Sequence, residues 1–180
     1  MTVRVPLRPI ETHYKGHRFR RRLEARWAVA FDVLRLDYDY EPEGYRLANG
    51  LMYLPDFYLS QVRMFAEVKP EPVSRYAMFD HEAMHKASGL VLATGRPLII
   101  LDGAPKDMNY WAMQPEDADP VGWDWLSFYP FEPHAMHVSQ GRFWSDSDGI
   151  EFPYRVKPEW SSVLHPAIEA SRSARFERGQ

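Results

Sequence analysis

Cysteine is absent from this chain of 180 residues. That excludes a disulfide framework and any thiolate metal site, and it fits a reducing, cytoplasmic setting. No apolar run approaches the roughly 18 residues a membrane span needs, and the opening MTVRVPLRPIETH lacks the apolar stretch of a signal peptide. Neither membrane association nor secretion is therefore expected. Internal repeats and low-complexity segments are also missing. What remains is a chain with 45% hydrophobic and 14% aromatic residues, enough to build a real core and to argue against disorder. A single domain over 1–180 is the simplest reading.

Charge is unevenly spread. Residues 1–26 hold eight Lys/Arg against Glu11 and Glu24, a net +6, which leaves −9 for the remainder of a chain whose total is −3. A basic arm ahead of an acidic body is an electrostatic footprint for nucleic acid, although a solvated helix face gives the same pattern. Arg18, Arg20, Arg21 and Arg22 are the candidate backbone contacts, with Lys86 further along.

Hydrophobic periodicity orders the elements. Residues 1–17 read as irregular, with prolines at 6 and 9; Leu23, Trp27, Phe31 and Leu34 then recur at helical spacing over about 19–34. A strand is expected from Tyr38 to Leu47, interrupted by Pro42 and closed by the Asn49-Gly50 turn. Two more follow at roughly 51–59 and 62–69. Next come a second helix over 74–95, striped by Tyr76, Phe79, Ala83, Ala87 and Leu90, and a buried strand in PLIILDG, 97–103. The order αβββαβ indicates an α/β fold with a mixed central sheet. Residues 104–160 are rich in Pro, Asp and aromatics and read as a β-rich elaboration, with a hairpin at Gln140-Gly141. A final helix is expected over 163–178, carrying Arg172, Arg175 and Arg178.

The stretch YLPDFYLSQVRMFAEVKP, residues 53–70, places Asp56, Glu67 and Lys69 in an otherwise apolar hairpin. Side chains alternate along a strand, so Glu67 and Lys69 share a face. With Ser60-Gln61 as a two-residue loop, Leu59 faces Val62, Asp56 faces Phe65 and Glu67 faces Leu54. Asp56 and Glu67 are then diagonal neighbours, Cβ atoms about 7–8 Å apart. Two carboxylates so placed repel unless one takes a proton or a hard cation such as Mg2+ lies between them. Lys69 beside them would suit charge developing on a phosphate. The bland alternative is a surface hairpin with a Glu–Lys pair at its edge.

These residues resemble the PD-(D/E)XK nuclease superfamily, the restriction-endonuclease-like fold, in its bacterial and phage forms. Pro55-Asp56 and Glu67-Val68-Lys69 stand where the family motif lies, on the second and third strands of an αβββαβ core, and Glu24 stands where an acid on the first helix completes the family's site. The wording RRLEARWA, YEPEGY, YLPDF, AEVKP and ATGRPLIILDG extends the resemblance over about 18–103. It implies phosphodiester hydrolysis, endonuclease rather than exonuclease in mode, with DNA as substrate and RNA as the rival. Asp56, Glu67 and the Val68 carbonyl would ligate Mg2+, with Mn2+ as substitute. Lys69 would position or activate water, and Glu24 would support a water or a second metal. Pairing into a homodimer or a larger nucleoprotein assembly is implied for double-strand cutting.

A rival motif lies in the second helix, where HEAMH (His81, Glu82, His85) matches the zinc-peptidase pattern H-E-x-x-H. The helical wheel turns His81 and His85 away from the apolar stripe, Ser88 and Val91 occupy the positions of the extended motif's Gly and third His, and no local pattern selects His134, His137 or His165 as third ligand. The other alternative is a catalytically silent nucleic-acid-binding or interaction module of the same fold.

Overall fold

The computed structural model describes residues 10–70, 82–106, 109–113, 115, 124–127, 129–130, 136–137 and 158–178, with side chains described for 10–70, 85–106, 110, 112, 113, 115 and 164–176. The fold is mixed α/β. Its first element is a hairpin of β1 (Thr12–Tyr14) and β2 (His17–Phe19), turned by Lys15 and Gly16 at positive φ of 45° and 81°. The expectation of irregular structure over 1–17 is corrected here from Thr12 onward. Phe19, fully buried, anchors the hairpin to the core.

Helix α1 (Arg22–Leu34) follows. Its inner face, Ala25, Trp27, Ala28, Val29, Ala30 and Phe31, is buried, because it lies between the sheet and a second helical layer. It stops at Arg35, which enters the left-handed region at φ 57° while the Leu36 N–H returns to the Phe31 carbonyl at 2.9 Å.

Six strands form the main sheet: β3 (Tyr38–Tyr40), β6 (Phe57–Leu59), β7 (Met64–Lys69), β8 (Leu98–Asp102), β9 (Asn109–Met113) and β10 (Asp124–Ser127). The order across the sheet is β10-β9-β8-β7-β6-β3. The pair β7–β8 is parallel, bridged by α2 (Glu82–Thr94), and the other pairs are antiparallel. The expected strand over 38–47 divides. After β3 the chain leaves the sheet to form a separate ribbon, β4 (Tyr45–Arg46) with β5 (Met52–Tyr53), and rejoins it at β6. Glu41, at φ 47°, marks the departure.

Alternation along β7 and β8 sorts the core into two layers. Met64, Ala66, Val68, Ile99 and Leu101 face α1 and α3 (Pro158–Ser173). Phe65, Leu98 and Ile100 face Ala87, Leu90 and Val91 of α2 and Leu47 of the ribbon. Helix α3 is held end-on, since the Arg26 guanidinium donates to the Ser171 and Arg172 carbonyls at 2.8 and 3.2 Å.

Three further expectations change. The second helix is described from Glu82, so Tyr76 and Phe79 of its expected stripe lie outside the described residues. The terminal helix spans Pro158–Ser173 rather than 163–178; Pro158 fits its first turn, where no N–H partner is needed. Arg178 lies in β13 (Glu177–Arg178), opposite Thr12 of β1. The elaboration after residue 104 contributes β9 and β10 to the main sheet and a two-stranded pair, β11 (Tyr129–Pro130) with β12 (Met136–His137). The Gln140-Gly141 turn lies outside the described residues. No described helix is long and apolar enough to cross a membrane.

Candidate functional site

The loop between β6 and β7 covers four residues, 60–63, not two: Leu59 pairs with Met64, and Phe57 with Ala66. Arg63 closes it in the left-handed region at φ 53°. Because the loop is longer by two residues, the parity of the strand faces survives while the offset changes. Extending the register one step brings Asp56 directly across from Glu67 instead of diagonal to it.

Asp56 stands just before β6, behind the buried Pro55, and its position is fixed twice. Its carbonyl accepts the Glu41 N–H at 2.9 Å, which prolongs the β3–β6 ladder. Its Oδ2 accepts the Val68 N–H at 2.8 Å, serving a β7 amide beyond the point where the β6 backbone pairs. Burial and the neighbouring Glu67 push the Asp56 carboxyl up to about 8; the Val68 N–H and Lys69 oppose this, and Glu24 adds to it. Three acids expected from different parts of the chain, Glu24, Asp56 and Glu67, therefore share one electrostatic neighbourhood.

Glu67 is held on both oxygens. Lys69 Nζ donates to Oε1 at 2.7 Å, and the Tyr53 hydroxyl donates to Oε2 at 2.8 Å. The Glu–Lys pair that a bland reading anticipated does exist, but it sits within the acid cluster, its side chains only 14% and 31% exposed. Burial, with the Glu67 charge next, drives the Tyr53 phenol well above its ordinary value, so it stays a donor.

Glu24 lies at the third position of α1 and is 2% exposed. Its Oε2 accepts from the Tyr40 hydroxyl at 2.7 Å and from the Arg21 N–H at 3.2 Å, and the Arg20 N–H donates to the Tyr40 oxygen at 3.0 Å. Burial raises the Glu24 carboxyl, and these two bonds pull it down. Glu24 thus ties off the Arg21 amide just ahead of α1 as well as facing the acids.

The basic candidates separate. Arg18 is engaged by Glu11 at 2.7 Å, and Arg20 by Glu41 at 2.6 Å. Arg21 is exposed at the helix start. Arg22 is half-buried, and its Nε is buried without a hydrogen-bond partner among the described residues. Lys86 is half-buried on α2, on the opposite side of the sheet from α1. In the rival motif His85 is exposed, His81 lies outside the described residues, and His165 is an exposed residue of α3.

The two tyrosines are what residue-level reading missed. Tyr40 and Tyr53 sit in short strands whose alternation explains them as packing residues, and nothing in the sequence shows that a hydroxyl meets an acid. Among the described residues no group of three or more His, Cys, Asp or Glu is arranged to hold a metal ion. No protein-family model matches the chain, and no curated protein is significantly similar to it.

Proposed function

We propose that the protein is a divalent-metal-dependent nuclease of PD-(D/E)XK type acting on DNA, most simply as an endonuclease. The observation that carries this reading is the Asp56 carboxylate, which accepts the Val68 N–H of β7 at 2.8 Å and feels the charge of Glu67, with the Lys69 ammonium 2.7 Å from Glu67. The run α1, β3, β6, β7, α2, β8, with three antiparallel strands and a fourth parallel to the third, supports a restriction-endonuclease-like core.

The donor set fits a hard cation. Both acids offer oxygen alone, and burial first and the Glu67 charge second hold a proton on Asp56 up to about 8, a penalty such an ion relieves. Asp56, Glu67 and the Val68 carbonyl would hold Mg2+ or Mn2+. The ion, when bound, would polarise phosphate oxygens and lower the pKa of a water. The chain's own groups do the rest. Asp56 is oriented by the Val68 amide, Glu67 by Tyr53, and Lys69 supplies positive charge and a proton donor beside an attacking water. Glu24 adds an acceptor in the first turn of α1. Arg21 and Arg22, for which no ion pair appears among the described residues, are the better candidates for phosphate contact, because Arg18 and Arg20 already have acidic partners.

One observation favours the rival, a silent module of the same fold. Glu24 and Glu67 are each satisfied by internal donors, which a purely structural role also explains. Incubation of supercoiled, linear and single-stranded DNA, and of RNA, with Mg2+, Mn2+, Zn2+ or EDTA separates the readings. The expected result is Mg2+- or Mn2+-dependent DNA cleavage that vanishes in Asp56→Ala. Cleavage equal in both proteins, or stoichiometric zinc with peptide hydrolysis, would overturn it.

A further inference from the structure

The β4–β5 ribbon is the one excursion from the main sheet that returns directly to Asp56. It is seated on the α2 side of the sheet by two apolar contacts. Tyr45 meets the edge of Phe65 at 5.5 Å between ring centroids, and Leu47 packs so closely on α2 that a Cβ at Gly89 would lie 2.9 Å from its Cδ1. Its third anchor is polar: Tyr53, paired with Tyr45, donates its single hydroxyl proton to Glu67 at 2.8 Å.

A carboxylate on a two-carbon stem turns freely unless both oxygens are held. Lys69, on the same strand, offers a flexible four-carbon arm. Tyr53 offers a rigid ring with two side-chain torsions, packed against the α2-side core. One donor on each oxygen leaves further lone pairs on both, so the Tyr53 bond is compatible with a third partner on the same carboxylate. We propose that Tyr53 is a positioning residue that fixes the plane of the Glu67 carboxylate, and that through it the β4–β5 ribbon is part of the site. This rests on the proposed function.

The test uses the full chain and compares wild type with Tyr53→Phe, which keeps the ring and removes only the hydroxyl. Mn2+ affinity by calorimetry or electron paramagnetic resonance is read beside kcat and KM for plasmid nicking and the melting temperature in EDTA. For loss of a group that orients a metal ligand, Mn2+ affinity and kcat fall by about 10-fold or more, while KM and the EDTA melting temperature stay near wild type. Wild-type Mn2+ affinity and kcat in Tyr53→Phe would overturn the inference, as would a loss confined to melting temperature. A wild-type protein that neither binds Mn2+ nor cleaves would overturn the proposed function, a failure visible in the control alone.

Discussion

The most consequential residue is Asp56, because its carboxyl is both placed and penalised by the fold. Its pKa rises from 3.8 to about 8, through burial first and Glu67 second. An acid whose folded pKa lies above its unfolded value contributes stability that is fully present below the unfolded value and is lost as pH rises through the folded one. In EDTA, therefore, melting temperature should fall between about pH 4 and pH 8, with this group contributing at most about 1.4 kcal/mol per pH unit. Asp56→Asn removes the penalty. The variant is expected to melt above wild type at pH 8 in EDTA, by a margin that shrinks toward pH 4, while losing cleavage. A variant no more stable than wild type across that range would show that Asp56 is not under strain. Legibility at this scale was uneven. The acids and Lys69 stood out as charges in an apolar hairpin, but the hydroxyls of Tyr40 and Tyr53 looked like aromatic bulk, because a phenol that packs and a phenol that donates are the same letter.

At the level of elements, strand parity was readable and loop length was not. Alternation placed Glu67 and Lys69 on one face whatever the turn. The extra two residues of the 60–63 loop depend on Arg63 adopting φ 53° without the glycine that would have announced it. The β1–β2 hairpin was hidden for another reason: β1 also pairs with β13, at the far end of the chain, a partnership no local pattern carries. Two element-scale expectations follow. Arg26→Ala removes two charge-assisted bonds to the last carbonyls of α3 and should lower stability by about 2 kcal/mol in chemical denaturation; a change under a few tenths would mean that packing alone holds α3 on α1. In Gly89→Ala, the gain of up to about 1 kcal/mol expected of alanine in a helix should fail to appear, because Leu47 must move. A full gain in melting temperature would show that the ribbon sits loosely on α2.

Across the whole molecule, the +6 of residues 1–26 overstates what the surface offers a polyanion. Arg18 and Arg20 spend their charge on Glu11 and Glu41, and Arg26 is committed to α3, which leaves Arg21 and Arg22, among the described arginines of that segment, as the proposed phosphate contacts. Arg22→Ala should weaken DNA binding and reduce the steepness of its salt dependence by about one ion released. Arg18→Ala should change both less, and the reverse ranking in a salt titration would reassign the interface. The central claim concerns the acid pair. Its most direct measurement is single-turnover nicking of supercoiled plasmid in Mg2+ by wild type and by Glu67→Gln, which keeps the size of the side chain and removes the charge. Nicking by wild type that stops in EDTA and falls by at least about 100-fold in the variant is the expected result. Equal nicking by the two proteins, or none by wild type in either Mg2+ or Mn2+, would contradict it.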